Sequence, residues 1–170
     1  MKAITILQPW ASLIACGKKQ IETRNWATKY RGPIAIHAGA RFDRKLWNLS
    51  LVDPIRNALD DLGYGNRNDL PLGAVIAIVD LVDCYYIVHH PGTDIDIAKN
   101  INIGAESMTE DKHDPDFGKY IVPTEQEFAF GDWTPGRYAW ILENVHSIDP
   151  IPAKGRQRLW EWEAPGWLDL

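Results

Sequence analysis

The run Ala74-Val75-Ile76-Ala77-Ile78-Val79 constrains this chain more than any other stretch. Successive side chains of a strand point to opposite faces, so an unbroken apolar run needs cover on both. The whole segment Ala74–Val88 is therefore expected as a long central strand, fed by a turn at Leu70–Gly73. Asp80 interrupts the run on the face of Ala74, Ile76 and Ile78. A carboxylate on such a face must be paired or protonated, since an unpaired buried charge is costly.

Other elements follow from local pattern. Ile4–Leu7 reads as a short strand and Trp10–Cys16 as a helix with Pro9 at its entry and Gly17 as its stop. Gln20–Trp26 alternates like a strand, and Arg31-Gly32-Pro33 turns into a further strand at Ile34–Ala38. Asp43–Leu62 is helical, with a cap and restart at Asp53-Pro54 and a stop at Gly63. Gly131–Gly136 is a tight turn, Tyr138–Ile148 a strand, Pro150–Arg158 a basic loop, and Leu159–Glu163 a closing strand. Residues 89–127 show no sustained periodicity and read as a lid or insertion. With 170 residues the chain fits one domain over 1–170, an α+β fold built on a small barrel-like sheet.

Composition excludes several classes. No apolar run reaches the ~18 residues of a membrane span, and no secretory leader is evident, so a cytoplasmic protein without membrane contact is expected. Cys16 and Cys84 are the only cysteines, too few for a disulfide framework or a zinc site. His89, His90 and His113 lack metal-ligand spacing, and no Walker loop or dinucleotide fingerprint is present, so neither metal nor cofactor is expected. The net charge of −5 is unevenly spread: residues 1–45 hold nine Lys/Arg against two acids. A basic quarter on an acidic body presents a local positive face to an anion, or else a solvated surface of mixed charge.

Eight Trp against four Phe is an unusual balance. Trp10 and Trp26 flank a Lys-Glu-Arg element, where each suits either the core or stacking on a base. Lys19 follows a helix end, either capping carbonyls or serving as a base or nucleophile if burial lowers its pKa. Glu22 and Arg24 share a strand face. They form an ion pair with each other, or Glu22 takes a proton or base N–H while Arg24 meets a phosphate. Lys154, Arg156 and Arg158, with Lys18, Lys19, Arg24, Lys29 and Arg31, supply cations for a phosphate backbone or a solvated surface. His37 ends an apolar strand, a place where histidine is more often a satisfied core residue than a catalyst.

Five segments together resemble a known family. They are Gln8-Pro9-Trp10-Ala11-Ser12, Gly17-Lys18-Lys19-Gln20-Ile21-Glu22-Thr23-Arg24, Arg31-Gly32-Pro33, Gly136-Arg137-Tyr138-Ala139-Trp140 and Lys154-Gly155-Arg156-Gln157-Arg158-Leu159-Trp160. The pattern resembles the ASCH (activating signal cointegrator homology) domain over most of the chain outside 89–125, with Gly-x-Lys-x-x-Glu-x-Arg its most specific part. The resemblance implies a PUA-like β-barrel with flanking helices and a cleft that recognises RNA or a modified nucleoside. Small bacterial members include an amidohydrolase acting on N4-acetylcytidine, and a ribonuclease activity has been attributed to another. Carried over residue by residue, the amidohydrolase lysine falls on Lys19, its threonine on Glu22 and its acidic residue on Asp80.

The resemblance thus implies amide hydrolysis of an N4-acylated cytidine. Lys19 would act as base or nucleophile, Asp80 would orient it or a water, and Glu22 would handle a proton or hold the base edge. Trp10, Lys18, Arg24, Trp26, Arg31, Lys154, Arg156 and Arg158 would bind the nucleic acid. A non-catalytic RNA-binding module, a ribonuclease and a protein-interaction domain docking through 89–127 remain as alternatives.

Overall fold

The apolar run forms the longest strand of the protein, β4 (Ala74–His89), in which all six residues from Ala74 to Val79 are buried. The structure is a computed structural model that describes residues 1–89, 96–100 and 120–168. Along the chain the elements are β1 (Lys2–Ile6), α1 (Trp10–Ala15), β2 (Ile21–Arg24), β3 (Gly32–Ala38), α2 (Arg44–Ser50), α3 (Ile55–Asp60), β4, β5 (Asp96–Asn100), β6 (Tyr120–Ile121), α4 (Glu125–Phe130), β7 (Tyr138–Pro152) and β8 (Leu159–Glu161). The class is α+β, as the sequence indicates. The fold divides into two compact units, and β4 and β7 each contribute to both.

The first unit comprises Met1–Lys19, Gly32–Leu81 and Glu143–Leu170. Here β1 pairs in parallel with β3 and antiparallel with β8. On its other edge β3 pairs antiparallel with the first half of β4. Ala3, Ala35, Val75, Ile78, Trp160 and Trp162 form one buried cluster, so small residues at the strand crossings admit two indoles.

A register shift between Ile36 and His37 sets Ala77 opposite Ile36 but Val75 opposite His37. One residue of β4 is thus skipped, as in a β-bulge, and the faces exchange there. This corrects the expected alternation. Asp80 continues the face of Ile78, but the next residue on that face is Val75 and not Ile76.

The Asp43–Leu62 helical segment restarts at Asp53-Pro54 as expected and forms two short helices, with Leu51–Pro54 between and Pro54 at the entry of α3. The Asp43 carboxylate caps α2 by accepting from Lys45 and Leu46 N–H. The basic loop is shorter than expected because β7 runs on to Pro152, where Ile148 and Ile151 pack against the Trp160 cluster.

The second unit comprises Gln20–Arg31 and Val82–Leu142. β2 pairs antiparallel with the start of β7, and the second half of β4 pairs with β5, which pairs with β6. Ile21, Ile87, Ala98, Trp133 and Ala139 form its core. The described part of segment 89–127 is therefore strand and helix, contrary to its weak periodicity. The rest of the expected lid, with His90 and His113, lies outside the described residues. Among the described residues no helix is long and apolar enough to cross a membrane, and no group of side chains could hold a metal ion.

Candidate functional site

The Gly17-x-Lys19-x-x-Glu22-x-Arg24 segment leaves the first unit at Lys19 and enters the second at Gln20. Its start is fixed by α1. Gln8, wholly buried, grips the first turn of that helix: its Oε1 accepts from Ser12 N–H at 3.1 Å, and its Nε2 donates to Ser12 Oγ at 2.8 Å and to Pro71 O at 2.9 Å. The Gln-Pro-Trp-Ala-Ser element thus has a structural reason for its spacing. Trp10 opens α1 and is half-buried.

At the other end of α1, Gly17 takes φ 74°, and its N–H donates to Ile14 O at 2.9 Å. Only glycine adopts this conformation freely. Lys19 N–H then donates to Leu13 O at 2.9 Å. The chain is folded back on its helix, and the Lys19 side chain is only 1% exposed. That is deeper than a cleft mouth. An ammonium so far from water must be hydrogen-bonded or neutral. Lys18, next to it, is instead spent on Asp61 at 3.2 Å.

Asp80 has a partner that the sequence did not suggest. Asn144 Nδ2 donates to Asp80 Oδ2 at 2.8 Å, and Asn144 itself sits at φ 49°. Arg24 instead pairs with Glu22, its neighbour on the β2 face.

Lys154, Arg156 and Arg158 follow β7 and are exposed. Among the described residues neither Lys154 nor Arg156 has a carboxylate within ion-pair distance, whereas Lys2 holds Glu161 and Arg56 holds Asp60. Nearby, His37 is 1% exposed. Its Nε2 lies 2.9 Å from Ala153 O, and since a carbonyl only accepts, that nitrogen carries the proton. Nδ1 is then a lone-pair acceptor, buried and without a hydrogen-bond partner. Burial pushes the His37 pKa below its ordinary value, against the smaller pull of the Ala153 carbonyl. The expected satisfied core histidine is therefore satisfied on one nitrogen only.

In the second unit, β2 places Glu22 and Arg24 on one face, opposite Trp140 and Tyr138 of β7. Arg24 Nε lies 2.9 Å from Glu22 Oε1, and Glu22 is 8% exposed. Trp26 stands edge-on to the buried Trp140 with ring centroids 4.6 Å apart, and Trp140 Nε1 donates to Trp26 O at 3.3 Å. Tyr86 leans on Tyr138 at 5.2 Å. The unit thus assembles a carboxylate–guanidinium pair in an aromatic frame. Arg31 is not part of it: its guanidinium bonds Asp83 at 2.7 Å and the Thr28 and Tyr30 carbonyls.

A buried acid supports this strand. Glu127 Oε1 accepts from Gln20 N–H at 2.5 Å and Ile21 N–H at 3.3 Å, while Thr124 Oγ1 caps the same helix by accepting from Glu127 N–H. Glu127 was missed in the sequence, although Thr124-x-x-Glu127 is a helix-start signature.

The family model for the ASCH domain matches residues 4–152. The chain is similar to activating signal cointegrator 1 of Homo sapiens, with 35% identity over 81 residues, or 48% of this chain and 14% of that protein. It is 33% identical to the Mus musculus protein over the same shares. The chain therefore spans about a seventh of the length of the curated relatives it matches. A crystal structure of a mutant ASCH protein from Zymomonas mobilis is also similar, at 15% identity, 95% of this chain, 89% of that chain and a TM-score of 0.45.

Proposed function

The chain belongs to the ASCH domain family, a PUA-like family associated with RNA binding, and on that premise we propose that it recognises RNA or a modified nucleoside. The observation that carries this reading is the Glu22–Arg24 pair held at 2.9 Å on β2. A guanidinium is a planar donor fork and a carboxylate is a pure acceptor, so the pair matches the mixed donor and acceptor edge of a nucleobase. Trp26, Tyr86 and Tyr138 supply aromatic faces of the kind single-stranded RNA uses for stacking. Recognition of this kind needs no metal. Lys154, Arg156 and Arg158 would add backbone contacts in solution, with Trp10, Lys18 and Arg31 in the lesser, structural roles that their contacts suggest.

The reaction proposed for this chain is hydrolysis of the amide of an N4-acylated cytidine. Lys19 supports it: a lysine 1% exposed is a poor phosphate contact, and burial is the usual way an amine becomes a base or nucleophile at neutral pH. Water attacking the acyl carbonyl, its proton taken up by Lys19 and returned to the cytosine N4 as the C–N4 bond breaks, would release cytidine and the free carboxylate. Glu22 and Asp80 are the acids proposed to move or hold that proton. The test is chromatography of N4-acetylcytidine incubated with wild type and with Lys19→Met, which keeps the aliphatic stem. Cytidine release by wild type, reduced about a hundredfold or more in the variant, is expected for an acid–base residue. Equal release by both removes Lys19 from the chemistry. No release by wild type, with salt-sensitive RNA binding retained, selects the non-catalytic binding module instead.

A further inference from the structure

The first unit contains a cavity of about 520 Å³ between the end of β3 and the segment after β7. Thr5 and His37 form its floor, Ala40 and Ala153 are among its apolar walls, and Lys154 and Arg156 stand on its rim. Three features of this place need a common explanation. The rim carries two cations that, among the described residues, neutralise no carboxylate, whereas Lys2, Lys18 and Arg56 of the same unit each do. The segment bearing them is anchored: Ala153 N–H donates to Gly73 O at 3.0 Å, and Ala153 O accepts from His37. Gly155 then lies so close over the floor that a Cβ there would fall 2.5 Å from His37 Cε1, 2.7 Å from Nδ1 and 2.8 Å from Thr5 Oγ1.

Two cations with no carboxylate partner among the described residues, at a cavity floored by Thr5 and His37, favour an anion. The volume is within the usual ~300–1,000 Å³ of small-molecule sites, far above the ~30 Å³ share of one water, so the anion comes with an organic body. We infer that this cavity takes the phosphate end of a nucleotide, with Arg156 and Lys154 on the phosphate oxygens and the nucleoside against the Ala40 and Ala153 walls. The nucleoside part of this inference rests on the proposed function; the phosphate part does not. The arginine fork can bind two phosphate oxygens at once and the lysine supplies a point charge. The same chemistry comes from a free mononucleotide or from the 5′ end of an RNA strand.

Calorimetric titration of the full chain at low salt with cytidine 5′-monophosphate, cytidine and short oligoribonucleotides separates these cases. Binding of the monophosphate is expected, weakened about tenfold or more on removing the phosphate or on Lys154→Ala/Arg156→Ala, as charge-assisted hydrogen bonds are lost. Cytidine binding as tightly as its phosphate, an unaffected double variant, or no binding of the monophosphate at millimolar concentration would each overturn the inference. A 5′-phosphorylated oligoribonucleotide binding more tightly than its 5′-hydroxyl form assigns the site to RNA ends, and equal binding assigns it to free nucleotide. If the 5′-hydroxyl form binds in an Arg24-dependent way while the double variant still binds the monophosphate normally, this inference fails and the proposed function stands. If the double variant loses the monophosphate while Arg24→Ala leaves oligoribonucleotide binding unchanged, the phosphate site stands and the Glu22–Arg24 reading fails.

Discussion

Asn144 holds Asp80 from a backbone conformation that few side chains accept: Nδ2 donates to Oδ2 at 2.8 Å while the residue sits at φ 49°. Asparagine is one of the few non-glycine residues that visit this region readily. One residue therefore does two things, turning the chain within β7 and giving a half-buried carboxylate a donor. Any chemical role for Asp80 begins from a carboxylate whose Oδ2 is already engaged.

The two contributions of Asn144 can be separated. Asn144→Gly keeps the backbone and loses only the hydrogen bond to a charged group, an expected cost of about 1.5–3 kcal/mol at most, since the site is partly exposed. Asn144→Ala loses the bond and adds about 1–2 kcal/mol of left-handed strain. Urea unfolding should rank wild type above Asn144→Gly and that above Asn144→Ala. An alanine variant as stable as the glycine variant would refute the strain.

Arg24 and Glu22 should behave as a coupled pair. Arg24→Ala leaves a carboxylate 8% exposed without its guanidinium, and losing one partner of such a pair costs up to about 3–5 kcal/mol when burial is complete. In a Glu22→Gln background the same substitution should cost markedly less. A double-mutant cycle by thermal melting reads the difference, and strict additivity would mean that the pair carries no coupling.

His37 should make stability depend on pH in a defined direction. Burial lowers its pKa in the folded chain below the ordinary 6.5, so the unfolded chain takes the proton first. The contribution is therefore fully present above about pH 6.5 and is lost as the pH falls through that value toward the folded pKa, with a slope of at most about 1.4 kcal/mol per pH unit. His37→Gln, which can still donate to Ala153 O, should flatten the stability profile below about pH 6.5. Parallel profiles for the two proteins in urea unfolding would contradict this.

Gly155 should tolerate no side chain. Gly155→Ala forces a methyl against the His37 ring and Thr5 Oγ1, an overpacking change expected to cost about 1–3 kcal/mol. Calorimetric melting should show the lower midpoint, and histidine side-chain resonances should report the shift of His37. An unchanged melting temperature would mean that the segment moves away at no cost.

What was legible in the sequence was local. The apolar run of β4, the Gly17 stop of α1 and the shared face of Glu22 and Arg24 each follow from spacing within a few residues. What was not legible depends on distant partners. The parity of Asp80 turns on how β3 registers against β4. The Asn144 turn gives no pattern of its own, and Ile151 stays extended because it packs under Trp160 and its neighbours. Glu127 reaches a strand 106 residues away, and its only local trace is the threonine three residues before it.

The double anchoring of Ala153 has a practical meaning. With one peptide group tied to Gly73 and the other to His37, and with β8 resuming at Leu159, the intervening residues are suspended between fixed posts. Positions 154, 156 and 157 are exposed and line the cavity. A combinatorial library confined to these three positions, with Gly155 held constant, could therefore alter what the rim attracts while the scaffold beneath it folds as before.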